Sequence, residues 1–357
     1  MYQYKKIAIK IGSNVLTKKD GTLDIERMSA LVEQIATLHN GGMEIILISS
    51  GAVAAGRIEL QLDKKLDAIS ARQVFSAVGQ AKLMNIYYEM FRKHGIFCGQ
   101  VLTMKENFGS RTHYLNQRNC MRQMLENNVI PIVNENDTVS VTELMFTDND
   151  ELSGLIATML GMEALIILSN IDGIYDGDPA NPAAQVIREV TPEKDLTQYI
   201  QTGKSSFGRG GMLTKTTIAR KVADEGITVI IANGKRDNIL SDLLKIDSER
   251  LCTRFIAKKK ETSSVKKWVA HGFAKGEIHV NAGAREALTG KEATSVLFVG
   301  ITNILGDFKK GDIVKIIDET DNFFAIGKTQ YDSDKARQLV GKKGIKPLVH
   351  YDYLYLE

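Results

Sequence analysis

The chain has 357 residues, 43% apolar and 25% charged, so it can bury a large core, and its length favours two domains over one. Three scattered cysteines, Cys98, Cys120 and Cys252, have no short paired spacing, which speaks against a disulfide framework or a zinc site and fits a reduced, cytoplasmic setting. The net charge of +3 is small, with a mildly basic tail beyond Lys258 that solvated surface lysines explain as well as a nucleic-acid face would.

Residues 1 to 16 alternate polar and apolar positions without the continuous apolar stretch of a signal peptide or membrane span, so no membrane association is expected. Within them "KKIAIKIG" reads as a buried strand, with Ile7, Ile9 and Ile11 on one face and Lys10 on the other, just before Gly12 and Ser13. Lys10 can be a strand-end lysine reaching solvent, or a phosphate ligand beside a glycine that lets the phosphate approach the backbone. Asp24 to Asn40 has helical apolar spacing, and "MEIILISS" reads as the next strand. The small residues from Ser49 to Gly56, in "SSGAVAAGR", precede a helix; they suit either an anion site of N–H groups and hydroxyls or a turn made for close packing.

"GIFCGQVL" and "NVIPIVNE" are further strands, separated by a helical pattern from Arg111 to Asn127. From Val133 to Asp150, "VNENDTVSVTELMFTDND" gathers five acidic residues and three asparagines without a cation. An acidic surface loop would look like this, but would leave Lys10 and Lys215 unexplained. After the strands "ALIILSN" and "ITVIIAN" are counted in, "SSFGRGGMLTK" stands out: Gly208, Gly210 and Gly211 precede a helix that begins near Met212 and carries Lys215 in its first turns. Glycines and a helix N-terminus suit phosphates, although neither a Walker A spacing nor a G-x-G-x-x-G opening is present and a flexible surface loop has the same look.

Strand and helix thus alternate, which predicts an α/β fold with a mainly parallel sheet sandwiched by helices and ligands beyond the carboxyl ends of its strands. After about Ala257 the texture changes. "KKKETSSVKK" is a polar join, and "GEIHV", "SVLFVGI", "GDIVKII" and "FFAIGKT" are short β-like runs between glycines, which predicts a small β-rich second domain. The expected division is 1–257 and 258–357.

In this order and at these separations, "KIGSNVL", "SSGAVAAGR", "VNENDTV" with "DNDELS", "GIYDGDP" and "GRGGMLTK" resemble the amino-acid kinase superfamily, and within it the glutamate 5-kinases, over about residues 5 to 256. The last hundred residues resemble a PUA domain, a small pseudo-barrel first known from RNA-modifying enzymes. The resemblance implies transfer of the γ-phosphoryl group of ATP, with Mg²⁺, to the side-chain carboxylate of L-glutamate, the first step toward proline. It implies Lys10, Lys215 and Asp150 as catalytic residues, with Asp150 orienting the lysines or supporting the metal. Asn134 and Asp137 would meet the substrate amino group, and Ser50 and Asn149 would help to fix it. Ser169 and Asn170 would lie near the adenine, with Arg209, Gly210, Gly211, Met212, Leu213, Thr214, Lys215 and Lys10 about the nucleotide and phosphates. No protein metal ligand is assigned.

The chain departs from the family pattern at Ser169-Asn170, where Thr-Asp is common, at Arg209 and Leu213 in the glycine loop, and at Met145, where lysine is frequent. The resemblance further implies a homodimer or homotetramer and feedback inhibition by L-proline; Glu143 and Asp148, in the acidic stretch but without an assigned chemical step, are the candidates for tuning it. Two other readings stay open: a sister kinase acting on another carboxylate or phosphate, and an RNA-binding protein acting through the tail.

Overall fold

Each strand-like run of the first 257 residues becomes a strand of one sheet in the computed structural model, which describes residues 2–60, 66–109, 111–140, 149–179, 181–194, 196, 212–258, 274–290 and 294–356. In chain order these strands are β1 (Lys6–Ile11), β2 (Glu44–Ser49), β3 (Phe97–Thr103), β4 (Val129–Glu135), β5 (Ala164–Ser169), β6 (Glu189–Val190), β7 (Thr228–Asn233) and β8 (Thr253–Phe255). They are arranged β3-β4-β2-β1-β5-β7-β8-β6. The six from β3 to β7 in that order run parallel; β8 is antiparallel to β7 and carries β6. The two-residue β6 and three-residue β8 have too little pattern to be seen in sequence.

The helices up to residue 257 include α1 (Ser13–Leu16), α2 (Ile25–Asn40), α3 (Ala52–Glu59), α4 (Ala68–Arg92), α5 (Lys105–Gly109), α6 (Arg111–Glu126), α7 (Asn149–Leu160), α8 (Met212–Asp224) and α9 (Ile239–Leu243). Helix α2 starts where the sequence placed it, because the Asp24 carboxylate accepts the Arg27 N–H at 3.1 Å. Asp67 caps α4 likewise, accepting from the N–H groups of Ile69 and Ser70. Ile7, Ile9 and Ile11 pack with Leu31 and Ile35 of α2 and with Tyr87 and Phe91 of α4. Each such side chain contributes about 1.5–3 kcal/mol on burial. The opposite face of β1 is covered by α7, against which α8 packs.

Two glycine features explain the small-residue stretch. Gly51 has φ +103°, a conformation that costs L side chains dearly, and it turns the chain from β2 into α3. Gly56 of α3 and Gly79 of α4 let the two helices touch backbone to backbone: a Cβ at Gly79 would lie 1.8 Å from the Ala52 carbonyl oxygen. Close packing therefore accounts for Gly56, without removing the hydroxyls of Ser49 and Ser50 from the end of β2.

By contact the chain separates into two compact units, Met1–Met104 with Cys120–Glu261, and Lys105–Asn119 with Thr262–Glu357. In the second, β9 (Ala274–Val280), β10 (Ile301–Leu305), β11 (Ile313–Ile317), β12 (Phe323–Thr329) and β13 (Val349–Leu356) form a sheet in the order β10-β9-β11-β12-β13. Pairing is antiparallel except between β9 and β11. Helices α10 (Ala282–Thr289) and α11 (Ser333–Leu339) accompany it, and Ile278, Phe298, Val314 and Val349 are in its core. The run "SVLFVGI" is not a strand along its length: Phe298–Gly300 is a 3₁₀ turn, and β10 begins at Ile301.

Candidate active site

Parallel pairing brings the carboxyl ends of β1, β2, β4, β5 and β7 to one edge of the sheet, with Ile11 level with Ser49 and Leu168, and Ser169 level with Asn233. The residues that follow those ends build two adjoining groups. The first is a buried ion cluster. Lys10 of β1 reaches Asp150 Oδ1 at 2.5 Å, and Lys215, from the first turn of α8, reaches Asp150 Oδ2 at 2.8 Å. Asp150 is wholly buried and Lys10 is 6% exposed, so Lys10 is not a lysine reaching solvent. Burial by itself would raise the Asp150 carboxyl, but the charges of Lys10 and Lys215 outweigh it and hold that group below the usual carboxylate range. At Gly12 a Cβ would stand 3.6 Å from Lys10 Nζ and 3.2 Å from the Leu168 carbonyl oxygen, so glycine there keeps room beside the ammonium group.

The second group is mostly neutral. Asn149, the first residue of α7, points its amide nitrogen at the Ser49 carbonyl, Ser50 Oγ and Asn134 Oδ1, at 3.0–3.1 Å. The Asn134 amide donates in turn to Gln80 Oε1 at 3.0 Å, and Gln80 donates to Gln100 Oε1 at 3.0 Å. Ser50, Asn134 and Asn149 are therefore together. Ser49 shares a 2.8 Å hydrogen bond with Tyr87, whose phenol burial pushes up from its ordinary value. Asp137 is engaged elsewhere: Arg72 of α4 binds its Oδ1 at 2.5 Å and Glu135 Oε2 at 3.4 Å.

Arg72, Gln80 and Glu135 were not singled out in the sequence. Arg72 and Gln80 look like ordinary polar positions of a helix. A signal for Gln80 is faint, a polar residue amid "SAVGQAKL"; for Arg72 the only hint was an acidic stretch in want of cations.

At the end of β5 Ser169 is buried, and its hydroxyl lies 3.4 Å from Asn170 Oδ1. The loop after it is tied to the loop after β7 by Asp172, which takes two 2.9 Å bonds from Arg236 and one of 3.2 Å from Asn233. The Arg236 hydrogen bonds are the main reason the Asp172 carboxyl lies below its ordinary range. Met212 opens α8 with Thr214 in its first turn, and Leu213 is 61% exposed. Arg209, Gly210, Gly211, Glu143, Met145 and Asp148 lie outside the described residues.

Among the described residues no group of three or more His, Cys, Asp and Glu side chains gathers as a metal site. Both Asp150 oxygens face lysine ammonium groups, a donor set unsuited to a protein-held Mg²⁺.

Residues 5–233 match the model of the amino acid kinase family, and residues 276–351 match that of the PUA domain. Over 99% of both chains, the sequence is 66% identical to a glutamate 5-kinase of Bacteroides thetaiotaomicron. The chain belongs to the amino acid kinase family, among its glutamate 5-kinases. A second glutamate 5-kinase, from Chlorobaculum tepidum, is 48% identical over 99% of this amino acid kinase and 98% of its own length. Among solved structures, a carbamate kinase from Giardia lamblia bound to AMP-PNP superposes with TM-score 0.53 at 16% identity, covering 72% of this chain and all of that one. An isopentenyl phosphate kinase gives 0.51 at 18% identity over 70% and 99% of the two chains. At those identities the likeness concerns the fold of the kinase unit alone. No helix among the described residues is long and apolar enough to cross a membrane.

Proposed function

We propose that the chain phosphorylates the side-chain carboxylate of L-glutamate with ATP, giving L-glutamyl 5-phosphate for proline synthesis, in the cytoplasm. The observation that carries this reading is the Lys10–Asp150–Lys215 bridge beside the Ser50–Asn149–Asn134 group. The name shared by the relatives supports glutamate as the acceptor.

A glutamate side-chain carboxylate, with pKa near ~4.3, is already ionised at neutral pH and needs no general base. One of its oxygens forms the new bond to the γ-phosphorus as the bond to the bridging oxygen of ADP breaks. Two anions must therefore meet, and charge moves onto the leaving β-phosphate. Lys10 and Lys215 supply fixed positive charge, and Asp150 holds both ammonium groups at a set spacing without competing for the phosphates. Mg²⁺ would arrive held by ATP phosphate oxygens and neutralise part of their charge. Ser50, Asn134, Asn149 and Asp137 would orient the amino-acid end. Ser169, Asn170 and residues 209–215 would hold the nucleotide. Residues 1–257 carry this chemistry in our reading, with 258–357 as the PUA-like part.

The test is ATP turnover over a panel of free amino acids with hydroxylamine trapping of the acyl phosphate. Trapped product with L-glutamate alone is expected; equal turnover with aspartate or N-acetylglutamate defeats the assignment. Proline, with an α-carboxylate and a secondary ammonium but no side-chain carboxylate, should compete with glutamate at the amino-acid end. Inhibition that saturating glutamate leaves untouched would locate proline elsewhere. We carry the homodimer or homotetramer as part of this reading, to be measured by sedimentation. RNA binding by the tail is tested by filter binding at two salt concentrations, since phosphate contacts weaken steeply with salt.

A further inference from the structure

A line of side-chain amides crosses from β3 and α4 to the start of α7. Asn149 Nδ2 donates to Asn134 Oδ1 at 3.1 Å, Asn134 Nδ2 to Gln80 Oε1 at 3.0 Å, and Gln80 Nε2 to Gln100 Oε1 at 3.0 Å. Amide oxygen and nitrogen have the same shape, so such a line has two directions open to it. Two backbone groups decide between them. The Glu135 N–H, which only donates, meets Asn134 Oδ1 at 2.9 Å, and the Ser49 carbonyl, which only accepts, meets Asn149 Nδ2 at 3.1 Å. With its oxygen taken by the Glu135 N–H and by Asn149, Asn134 has used both acceptor sites, and its other branch is a buried NH₂ group that needs an acceptor. Gln80 supplies it. Gln80 is itself 8% exposed and follows Gly79, where α4 lies against the Ala52 backbone.

We propose that Gln80 is a positioning residue of the amino-acid site: it pins the second branch of the Asn134 amide, and the pinned amide holds Asn149 by its nitrogen. Gln80 takes this role on the reading of Ser50 and Asn149 as residues that orient glutamate. The two Asn149 amide hydrogens are shared among the Ser49 carbonyl, Ser50 Oγ and Asn134 Oδ1, all groups of the protein. What Asn149 offers a substrate is therefore its carbonyl oxygen, an acceptor. Ser50, which accepts from Asn149, keeps its own O–H as a donor. One acceptor beside one donor suits an α-ammonium group beside an α-carboxylate, the pair that a free α-amino acid carries. Without Gln80 the Asn134 NH₂ group loses its acceptor and the amide is held on one branch only, so its oxygen no longer fixes Asn149. The charges at that end of the substrate do not change during phosphoryl transfer, so the effect falls on binding and not on the chemical step.

The experiment is a double-mutant cycle on glutamate KM and kcat with Gln80→Met, Asn134→Ala and the two combined, read by hydroxylamine trapping on the full chain, with the ATP KM measured alongside. Gln80→Met keeps the shape and removes the acceptor. It should raise the glutamate KM roughly five- to thirtyfold, the range for a buried donor left without its partner. Its kcat and ATP KM should stay within about twofold. In the Asn134→Ala background the same change should add less than about twofold, because Gln80 acts through Asn134. Gln80→Glu keeps an acceptor toward Asn134, and Gln100, which is exposed, can turn its amide to donate, so this variant should bind glutamate better than Gln80→Met by about threefold or more. If Gln80→Met does not fold, Gln100→Met replaces it in the cycle, with a rise of about threefold expected that is again lost in the Asn134→Ala background. Additive effects, an unchanged glutamate KM, a fall in kcat alone, or a Gln80→Glu variant no better than Gln80→Met overturn the role of Gln80. If wild type traps product from glutamate and the cycle is additive, Gln80 alone is misassigned; if wild type traps none, the glutamate reading fails as well.

Discussion

The two halves of the site solve different electrostatic problems from adjacent residues of one helix. Asp150, the second residue of α7, sits between two lysines in a water-excluded pocket, whereas Asn149, the first, sits among amides, a hydroxyl and a carbonyl. Full charges in a dry site interact strongly with charge that develops during phosphoryl transfer. Neutral dipoles suit a substrate end whose charge stays the same throughout the reaction. The lysine side should therefore govern kcat and the amide side KM.

The largest expected effect tests the charged side. Lys10→Ala and Lys215→Ala should each lower kcat by roughly 10²–10³-fold while changing the glutamate KM little, the size seen when one preorganised donor to a developing charge is lost. Near-wild-type turnover of either variant would break the comparison. Asp150→Asn should be costly in stability too, by about 3–5 kcal/mol in denaturant unfolding at neutral pH, because it removes the buried carboxylate that both lysines contact. The sign with pH follows from the depressed Asp150 pKa. Its contribution is full above the unfolded-state value near ~3.9 and is lost as pH falls through the lower folded-state value, so wild type and Asp150→Asn should converge in stability only in that acid range.

At the proposed amino-acid end, Asp137→Ala should raise the glutamate KM roughly ten- to hundredfold with kcat comparatively intact; an unchanged KM would move the amino-group site elsewhere. Gly79→Ala sharpens the comparison further. Its Cβ would overlap the Ala52 carbonyl, so α4 must shift, with an expected loss of about 1–3 kcal/mol in thermal unfolding. Because α4 carries Arg72 and Gln80 but neither lysine, the glutamate KM should rise several-fold while kcat falls less. Leu213→Ser should do least: Leu213 is mostly exposed, so stability should stay within about 0.5 kcal/mol, and only the ATP KM has reason to move.

Much of this was legible in the chain. The run "ALIILSN" is apolar on both faces, and that pattern belongs to strands covered on both sides. Lys10 is legible as a cation within an apolar run just before Gly12, open between solvent and a phosphate, Lys215 as a cation in the first turns of a helix behind glycines, and Asp150 through the resemblance alone. Arg72 and Gln80 were not legible, since 65 residues separate Arg72 from Asp137 and nothing in a 25-residue helix marks which polar position turns inward.

The sequence by itself determined the alternation of strand and helix, the parallel sheet and the β-rich tail, because period and composition are local properties that short windows reveal. Only the tertiary structure decided that Lys10 is buried, that one carboxylate holds both lysines, and that α4 supplies the cation for Asp137. Those facts depend on sheet register and on two helices touching at Gly56 and Gly79, contacts between segments far apart in the chain.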